Sequence, residues 1–330
     1  MKQKRFTLTK KMCITMFTVA MLIIAAVIVF YPNTSADPGE EITKKMIACV
    51  ILFAGMLVFI KGYDKFMALP IELYQNRYLI WKLAKNDFKN RYAGSYMGAV
   101  WALVQPVVTI AMYYVVFDVI MGVGRPISAD VPYVLFLTAG LVPWFYFSEA
   151  IMNGTSSMLE YNYLVKKVVF KISILPIIKI IAATFIHIFF ACVLLVIAAC
   201  YGFYPSIYTL QLIYYSFCMF ILVLGLCYAT CAVMVFFRDL AQIISIILQI
   251  GMWATPILWD MGTVSPKAQF IVKLNPLVYI VNGYRNAITD KIWFFEDFYY
   301  TVYFWIFTIV VFGMGSMIFK RLKVHFADVL

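Results

Sequence analysis

Few side chains in this sequence could carry out chemistry, and they are widely separated. The chain has two histidines, His187 within a long apolar stretch and His325 in the C-terminal tail, and neither belongs to an HExxH motif. No paired-carboxylate cluster and no GxxxxGK[ST] phosphate loop occurs. The residues therefore predict no catalytic centre and no use of ATP through a phosphate loop of this chain. We expect His187 to be a hydrogen-bonded packing residue.

Three charged residues interrupt the apolar stretches: Asp118, Glu149 and Lys179. A charge at the centre of a membrane helix costs about 2.5–3.5 kcal/mol on translocon scales, so it usually faces protein or water. We expect Lys179 to extend to the cytosolic surface and Asp118 to reach the outer headgroups. Glu149 either lines a pathway or makes a structural hydrogen bond. These charges are too few to favour a proton-coupled pump.

The composition indicates which elements must position these residues. Of the 330 residues, 64% are hydrophobic and 13% are charged, whereas soluble domains average about 45–50% apolar and about 25% charged residues. We therefore expect an all-α polytopic membrane protein. The net charge of +11 comes from clusters between the apolar stretches. That distribution follows the positive-inside rule and does not indicate a nucleic-acid partner.

Eight apolar stretches approach the roughly 20 residues that a membrane-crossing helix needs. They are about Cys13–Tyr31, Met46–Ile60, Met97–Met121, Tyr133–Ser156, Leu175–Tyr201, Leu210–Phe237, Ala241–Trp259 and Tyr299–Phe319. Basic clusters precede the first stretch, follow the second and the last, and lie between the fourth and the fifth. Eight crossings would place all of these clusters, and both termini, on the cytosolic side.

Three connecting segments have more pattern than simple loops. In Ile71–Tyr92, large apolar residues recur at three- or four-residue steps beside a basic face, which predicts a helix in the membrane interface. Residues 161–176 show a similar pattern and predict a short basic amphipathic helix. In Gly262–Asp297, two short apolar runs are separated by Asn275 and Pro276. We expect a re-entrant segment there, covered by protein or by a watery cavity.

Six sequence strings, in their order and spacing, carry a resemblance to a known family. They are NDFKNRYAGSYMGAVWALVQP (86–106), GLVPWFYFSEAI (140–151), NYLVKKVVFKISILP (162–176), FFRDLAQII (236–244), ATPILWD (254–260) and LNPLVYIVNGYRNAI (274–288). Together they resemble the membrane subunit of ABC-2 type exporters, in the branch that exports O-antigen, capsular polysaccharide or wall teichoic acid. The similarity covers about residues 74–330. One departure is that Lys171 follows Phe170, where the family usually has proline.

The resemblance implies a domain organisation. Residues 96–330 would form the six-helix permease core, and residues 71–95 would form the amphipathic helix at the cytosolic interface. Residues 1–70 would add two transmembrane helices whose role is undetermined. The whole would be a multi-pass protein of the bacterial cytoplasmic membrane.

The resemblance also implies partners. Two copies of this chain would associate with two copies of a separate ATP-binding cassette subunit. That subunit would bind ATP and Mg, while this chain would hold no cofactor and no metal. The segment that resembles the coupling helix would dock in a groove of the ATP-binding subunit, and a helix touching only lipid headgroups is the alternative. The docking residues would be Asn162, Tyr163, Leu164, Val165, Lys166 and Lys167.

The cargo implied by this branch is a glycan or polyol-phosphate polymer on a polyprenyl diphosphate, loaded from the cytosolic side. Aromatic rings can stack on sugars without fixing one register, so we expect them to line the path. The candidates are Trp101, Tyr113, Tyr114, Phe117, Trp144, Tyr146 and Phe147, together with Glu149. The anionic head group would enter beside Lys85, Lys89 and Arg91, although the positive-inside rule explains these charges equally well.

Three alternative hypotheses differ in what the sequence would have to contain. An ABC-2 exporter of drugs or lipids would share the fold but carry a different cargo. A glycan-modifying membrane enzyme would need a catalytic constellation, and the sequence shows none. A structural membrane scaffold would leave the six ordered strings unexplained.

Overall fold

The computed structural model describes residues 10–30, 38–91, 96–122, 131–165 and 171–329. Within these residues the chain forms helices joined by turns, and no strand occurs among them. This confirms the predicted all-α class. The chain divides into two compact units, Met1–Arg77 and Tyr78–Leu330.

The first unit consists of two long helices and the start of a third. They are α1 (Lys10–Phe30), α2 (Pro38–Phe66) and the first residues of α3 (Ala68–Arg91). Phe17 stacks on Phe59 with ring centres 3.9 Å apart, and Lys10 Nζ donates to Asp64 Oδ2 at 2.8 Å. Most other apolar side chains of α1 and α2 face outward, as expected of helices whose solvent is lipid.

The second unit begins at Tyr78, inside α3. Its further helices are α4 (Trp101–Tyr114), α5 (Tyr133–Glu160), α6 (Asn162–Val165), α7 (Leu175–Cys200), α8 (Gln211–Met234), α9 (Leu240–Ala254), α10 (Pro266–Lys273), α11 (Pro276–Arg285), α12 (Phe298–Leu322) and α13 (Phe326–Val329). A π-helical turn, Val115–Ile120, continues α4, and a second one, Asn286–Asp290, follows α11.

Among the described residues, seven segments are long and apolar enough to cross a membrane. They are Lys10–Phe30, Glu41–Asp64, Trp101–Ile120, Tyr133–Glu160, Ile172–Cys200, Ile207–Met234 and Phe298–His325. The predicted span Ala241–Trp259 instead contains α9, an apolar helix of 15 residues. At 1.5 Å per residue α9 covers about 22 Å of a hydrocarbon layer of about 30 Å. It ends early because Thr255 precedes Pro256, and a residue before proline favours extended backbone.

Helix α5 lies at the centre of the second unit. It packs against α7, α8, α9 and α11, and most of its residues are buried. Small residues permit the closest approaches between helices. A Cβ atom on Gly154 would lie 2.3 Å from Cys227 Sγ, and one on Gly315 would lie 2.1 Å from the carbonyl oxygen of Gly225. Helices α8 and α12 therefore meet backbone to backbone, which is a common packing mode in membranes.

Helices α10 and α11 occupy the segment predicted to be re-entrant. Asn275 Oδ1 accepts a hydrogen bond from the Leu277 N–H group at 3.0 Å and so caps α11, while Asn275 Nδ2 donates to Thr255 Oγ1 at 2.9 Å. At the other end of α11, the buried Arg285 donates to the Pro256 carbonyl oxygen at 2.7 Å. Protein covers most of α11, whereas no residue of α10 is buried. A re-entrant position of this segment in the membrane stays a prediction.

Candidate functional site

A cavity of about 880 Å³ lies between α4 and α5, and Arg91 of α3 and Ile186 of α7 complete its wall. Its polar lining consists of Arg91, Gln105, Thr109, Ser148, Glu149 and Asn153. Trp101 also lines the cavity and is 50% exposed. An aromatic face beside hydroxyl and amide groups suits a ligand that is both polar and ring-shaped.

Helical spacing places the polar groups on the cavity side of α5. Ser148, Glu149 and Asn153 are separated by steps of one and four residues, so they share one side of the helix. Ala150 and Ile151 point to the opposite side and are buried in the core. The same helix therefore supplies the cavity wall and the centre of the packing.

An ion cluster, defined as Glu160, Lys179, Asp87, Arg91 and Glu149, lies where α3, α5 and α7 meet. Lys179 Nζ donates to Asp87 Oδ1 at 2.5 Å and also to Glu160 Oε2. Arg91 donates to Glu149 Oε1, and its Nη2 atom lies 3.3 Å from Asp87 Oδ2. The charges alternate in sign along this order, so each contact within the ion cluster is attractive. Arg91 and Glu149 belong both to the ion cluster and to the cavity wall.

The position of Lys179 overturns one expectation from the sequence. Its side chain is only 4% exposed and does not reach the surface. Two carboxylates, on Asp87 and Glu160, accept its hydrogen bonds and stabilise the buried ammonium group. The interpretation of Lys179 as a surface-reaching side chain was wrong because one of its two carboxylate partners, Asp87, is 92 residues away in the sequence.

Tyr161 adds a neutral hydrogen-bond donor to the ion cluster. Its hydroxyl group donates to Asp87 Oδ1 at 2.8 Å, and Lys179 Nζ lies 4.9 Å from the centre of its ring. Burial, followed by the hydrogen bond to Asp87, raises the pKa of Tyr161 above its ordinary value. The phenol is therefore protonated at physiological pH and keeps its role as a donor.

Helix α3 brings Asp87 and Arg91 to this point because residues four apart lie on the same face of a helix. Ala84, one turn earlier, is fully buried, and Phe88 packs edge-on against Phe185 of α7 with ring centres 6.1 Å apart. The last two turns of α3, which belong to the second unit, therefore pack against the other helices of that unit.

The residues predicted to line a path occupy different surroundings. Trp101 and Glu149 line the cavity. Tyr113 and Tyr114 are half-buried near the end of α4, and Phe117 is half-buried in the π-helical turn that follows. Contact of these residues with a cargo stays a prediction.

Three other path candidates are packed inside the second unit. Trp144, Tyr146 and Phe147 are all buried. Tyr146 Oη lies 2.9 Å from Thr184 Oγ1, and the edge of the Trp144 ring lies 3.0 Å from where a Cβ atom on Gly251 would be. In this conformation the three rings contribute to packing around α5, and their role in transport stays a prediction.

The predicted head-group residues divide between two faces of α3. Lys85 and Lys89 are four residues apart and exposed, whereas Arg91 is paired with Asp87 and Glu149. Of these three residues, Lys85 and Lys89 are therefore exposed enough to make the first contact with an anionic head group.

The structure describes one part of the predicted docking helix as a helix, and this part is α6. Asn162 and Tyr163 are exposed, and α6 continues through Leu164 and Val165. Lys166 and Lys167 lie outside the described residues, as do the next three positions. The chain is described again from Lys171, before a short 3-10 turn, Ile172–Ile174, leads into α7.

His187 has the packing role that its sequence position predicted. Its Nε2 atom lies 2.9 Å from Tyr284 Oη and 3.0 Å from Ser216 Oγ, and its ring stacks on Tyr146 with centres 4.5 Å apart. The prediction of a hydrogen-bonded packing residue is confirmed.

Sequence reasoning missed Asp87, Glu160 and Tyr161 as members of one site. One available indication was that Asp87 is the only carboxylate between residues 73 and 117 and stands four residues before Arg91. A second was Glu160, a carboxylate directly before Tyr161 at the end of an apolar stretch. Neither indication identifies the partner on another helix.

Comparison with known proteins adds an independent finding. A family model described as "ABC-2 type transporter" matches residues 78–289, which is more than half of the chain. The chain is 29% identical over 216 residues to the O-antigen export system permease protein RfbA of Myxococcus xanthus, which covers 65% of this chain and 81% of that protein. It is 28% identical over 254 residues to a protein of the same name from Klebsiella pneumoniae, which covers 75% of this chain and 93% of that one.

Proposed function

Because this chain belongs to the ABC-2 type transporter family, we propose that it is the membrane subunit through which an ATP-driven exporter moves a polysaccharide out of the cytosol. The chain is a transport subunit and not an enzyme. The observation that carries the choice of cargo is its similarity to permeases whose names describe O-antigen export.

The cavity supports a polysaccharide cargo on chemical grounds. The ring face of Trp101 can stack on the apolar face of a sugar. The amides of Gln105 and Asn153 and the hydroxyl group of Ser148 can exchange hydrogen bonds with sugar hydroxyl groups. Among the described lining residues the charged side chains are Arg91 and Glu149, which are paired and leave the cavity close to neutral.

The cargo in this proposal is linked to a polyprenyl diphosphate, and it is either a glycan or a teichoic acid. A polar polymer cannot dissolve in hydrocarbon, so it needs a lined path. The diphosphate would be attracted to the exposed cations Lys85 and Lys89 before the polymer reaches the cavity.

The energy for export would come from a separate ATP-binding cassette subunit that holds ATP and Mg. Two copies of this chain would pair with two such subunits, and α6 would dock on each of them. Since a ligand shifts a conformational equilibrium only by binding two states differently, ATP binding would favour one state and hydrolysis would restore the other. The complex would lie in the bacterial cytoplasmic membrane. Both termini of this chain would lie in the cytosol, which requires the short α9 to cross the membrane in addition to the seven longer segments.

Reconstitution of the full chain with its ATP-binding subunit in proteoliposomes tests this function. Three additives are compared: a polyprenyl diphosphate-linked oligosaccharide, a polyol-phosphate polymer on the same carrier, and an amphiphilic drug. The oligosaccharide or the polyol phosphate should increase the rate of ATP hydrolysis several-fold and cross the membrane. Stimulation by the drug alone would overturn the proposed cargo, and binding of no ATP-binding subunit would overturn the proposed role.

A further inference from the structure

The ion cluster begins at the residues that directly precede α6. Glu160 is the last residue of α5, Tyr161 follows it, and α6 starts at Asn162. Glu160 accepts a hydrogen bond from Lys179, and Tyr161 donates one to Asp87. A displacement of α6 therefore acts on two bonds whose other partners are buried.

The middle of the ion cluster resists separation. The side chain of Lys179 is 4% exposed and that of Asp87 is 9% exposed. Because an uncompensated charge in such a place is strongly destabilising, Lys179 and Asp87 are expected to move together. Asp87 and Arg91 share the last turn of α3, so a shift of Asp87 also moves Arg91.

The other end of the ion cluster is part of the cavity wall. Arg91 donates to Glu149, and both side chains line the cavity. Glu149 lies on α5 roughly three turns before Glu160. The ion cluster thus forms a continuous series of contacts from the base of α6 to the cavity, running through α7 and α3 and returning to α5.

We propose that the ion cluster is a relay through which α6 controls the cavity, with Asp87 and Lys179 as positioning residues in its middle. The relay rests on the proposed function because it takes α6 as the contact with the ATP-binding subunit. When that subunit moves α6, Glu160 and Tyr161 pull Lys179 and Asp87, and α3 shifts Arg91 against Glu149. A packed junction of this kind has discrete arrangements and does not deform continuously, so a small displacement can switch it.

A cysteine reporter in the cavity measures this control without any cargo. Asn153→Cys places a thiol on the cavity wall, and a water-soluble maleimide labels it in the purified complex with the ATP-binding subunit. A chain without the reporter corrects for native cysteines, of which Cys218, Cys227 and Cys231 are buried. With a hydrolysis-deficient partner, the labelling rate is expected to change several-fold between the nucleotide-free and the ATP-bound complex.

A second step removes the contacts of Glu160 and Tyr161, at the end of the relay next to α6. Glu160→Gln combined with Tyr161→Phe leaves the buried pair of Lys179 and Asp87 intact, so the complex should still assemble and bind ATP. The nucleotide-dependent change in labelling should disappear, and Glu160→Asp should retain it. Glu149→Gln weakens the contact with Arg91 at the cavity end of the relay and should also abolish the change in labelling. It replaces the first variant in this test if that variant does not assemble.

A matched control replaces the same residue types elsewhere. Asp239→Asn combined with Tyr201→Phe alters an exposed carboxylate and an exposed tyrosine outside the ion cluster, and it should keep the full change in labelling. The relay is overturned if the Glu160 and Tyr161 variant keeps the change, or if the unaltered complex shows none. Failure of the unaltered chain to retain an ATP-binding subunit contradicts the proposed function instead.

Discussion

At the scale of single residues, Asp87 accepts hydrogen bonds from three donors on different parts of the second unit. They are Lys179 at 2.5 Å, Tyr161 at 2.8 Å and Arg91 at 3.3 Å. An ionised carboxylate has about four lone-pair sites, so this number of donors nearly saturates it. One short side chain therefore connects α3 with α7 and with the segment that follows α5.

Replacing this carboxylate by an amide should destabilise the protein. Asp87→Asn leaves Lys179 buried with Glu160 as its remaining carboxylate, and breaking a buried pair typically costs about 3–5 kcal/mol. The apparent melting temperature in detergent should fall by several degrees. Asp64→Asn is the matched control because Asp64 pairs with Lys10 at an exposed position, where such pairs contribute about 0–1 kcal/mol. Equal shifts in the two variants would contradict this account of the ion cluster.

At the scale of elements, α8 and α12 approach more closely than side chains would permit. The contact is made at Gly225 and Gly315, where a Cβ atom would meet backbone atoms. Close backbone contact compensates for the absence of a hydrophobic driving force between helices in lipid. The spacing of these two helices therefore depends on two residues without side chains.

Adding one methyl group at this contact should separate the helices. Gly315→Ala is expected to cost about 1–3 kcal/mol through overpacking, because its Cβ atom would lie 2.1 Å from the Gly225 carbonyl oxygen. Gly313→Ala, on the same helix, meets no atom within 4 Å and should leave stability unchanged. Thermal unfolding of both variants in the same detergent measures the difference. A loss in Gly313→Ala equal to that in Gly315→Ala would contradict the packing explanation.

Helix α6 carries a second prediction at this scale. Replacing both Leu164 and Val165 by Asp should prevent an apolar face from entering a groove of the ATP-binding subunit. Co-purification of that subunit should be lost while this chain still elutes as before in size-exclusion chromatography. Val324→Asp, at an exposed apolar position predicted to be cytosolic, is the control and should retain the subunit. Retention by the α6 variant would argue that docking occurs elsewhere.

Local patterns in the sequence predicted the helices well. The length of an apolar run and the position of a proline determine a helix through residues of the same segment. These patterns predicted a helix over most of α3, in which Tyr74, Tyr78 and Trp81 are more than half exposed, while its place in the membrane interface stays a prediction. They did not show that Ala84 and Asp87 of the same helix contact the rest of the second unit. Thr255 and Pro256 indicate in the sequence that α9 ends early. The predicted span ran on to Trp259 because the apolar run continues past them.

The candidate site was harder to predict because its contacts join distant parts of the chain. Trp101, Glu149 and Arg91 were selected separately from the sequence, and the structure brings them to one cavity. The pairing of Lys179 with Asp87 depends on how α7 packs against α3, which no spacing within either helix reveals.

At the scale of the whole molecule, the family match begins at Tyr78, the first residue of the second unit. The second unit contains the cavity, the ion cluster and α6, whereas α1 and α2 belong to the first unit. The properties assigned to the cavity and the ion cluster therefore depend on residues that the second unit supplies by itself.

Removal of α1 and α2 should leave the second unit folded. A chain that starts at Ala68 retains all of α3 and should keep both its monodisperse elution and its ATP-binding subunit in detergent. Its matched control is a chain that starts at Phe88, which removes most of α3 and should aggregate. Aggregation of the longer chain would show that the first unit is required for folding.

If α9 crosses the membrane, its short length has a consequence for the surrounding lipid. A helix of about 22 Å in a layer of about 30 Å creates a hydrophobic mismatch, which a bilayer relieves by thinning beside the protein at a cost of fractions of a kcal/mol per Å. Where the acyl chains are compressed in this way, the low-dielectric barrier is narrower. A hydrated polymer that passes near α9 would meet the aqueous phase sooner than it would at a full-length helix.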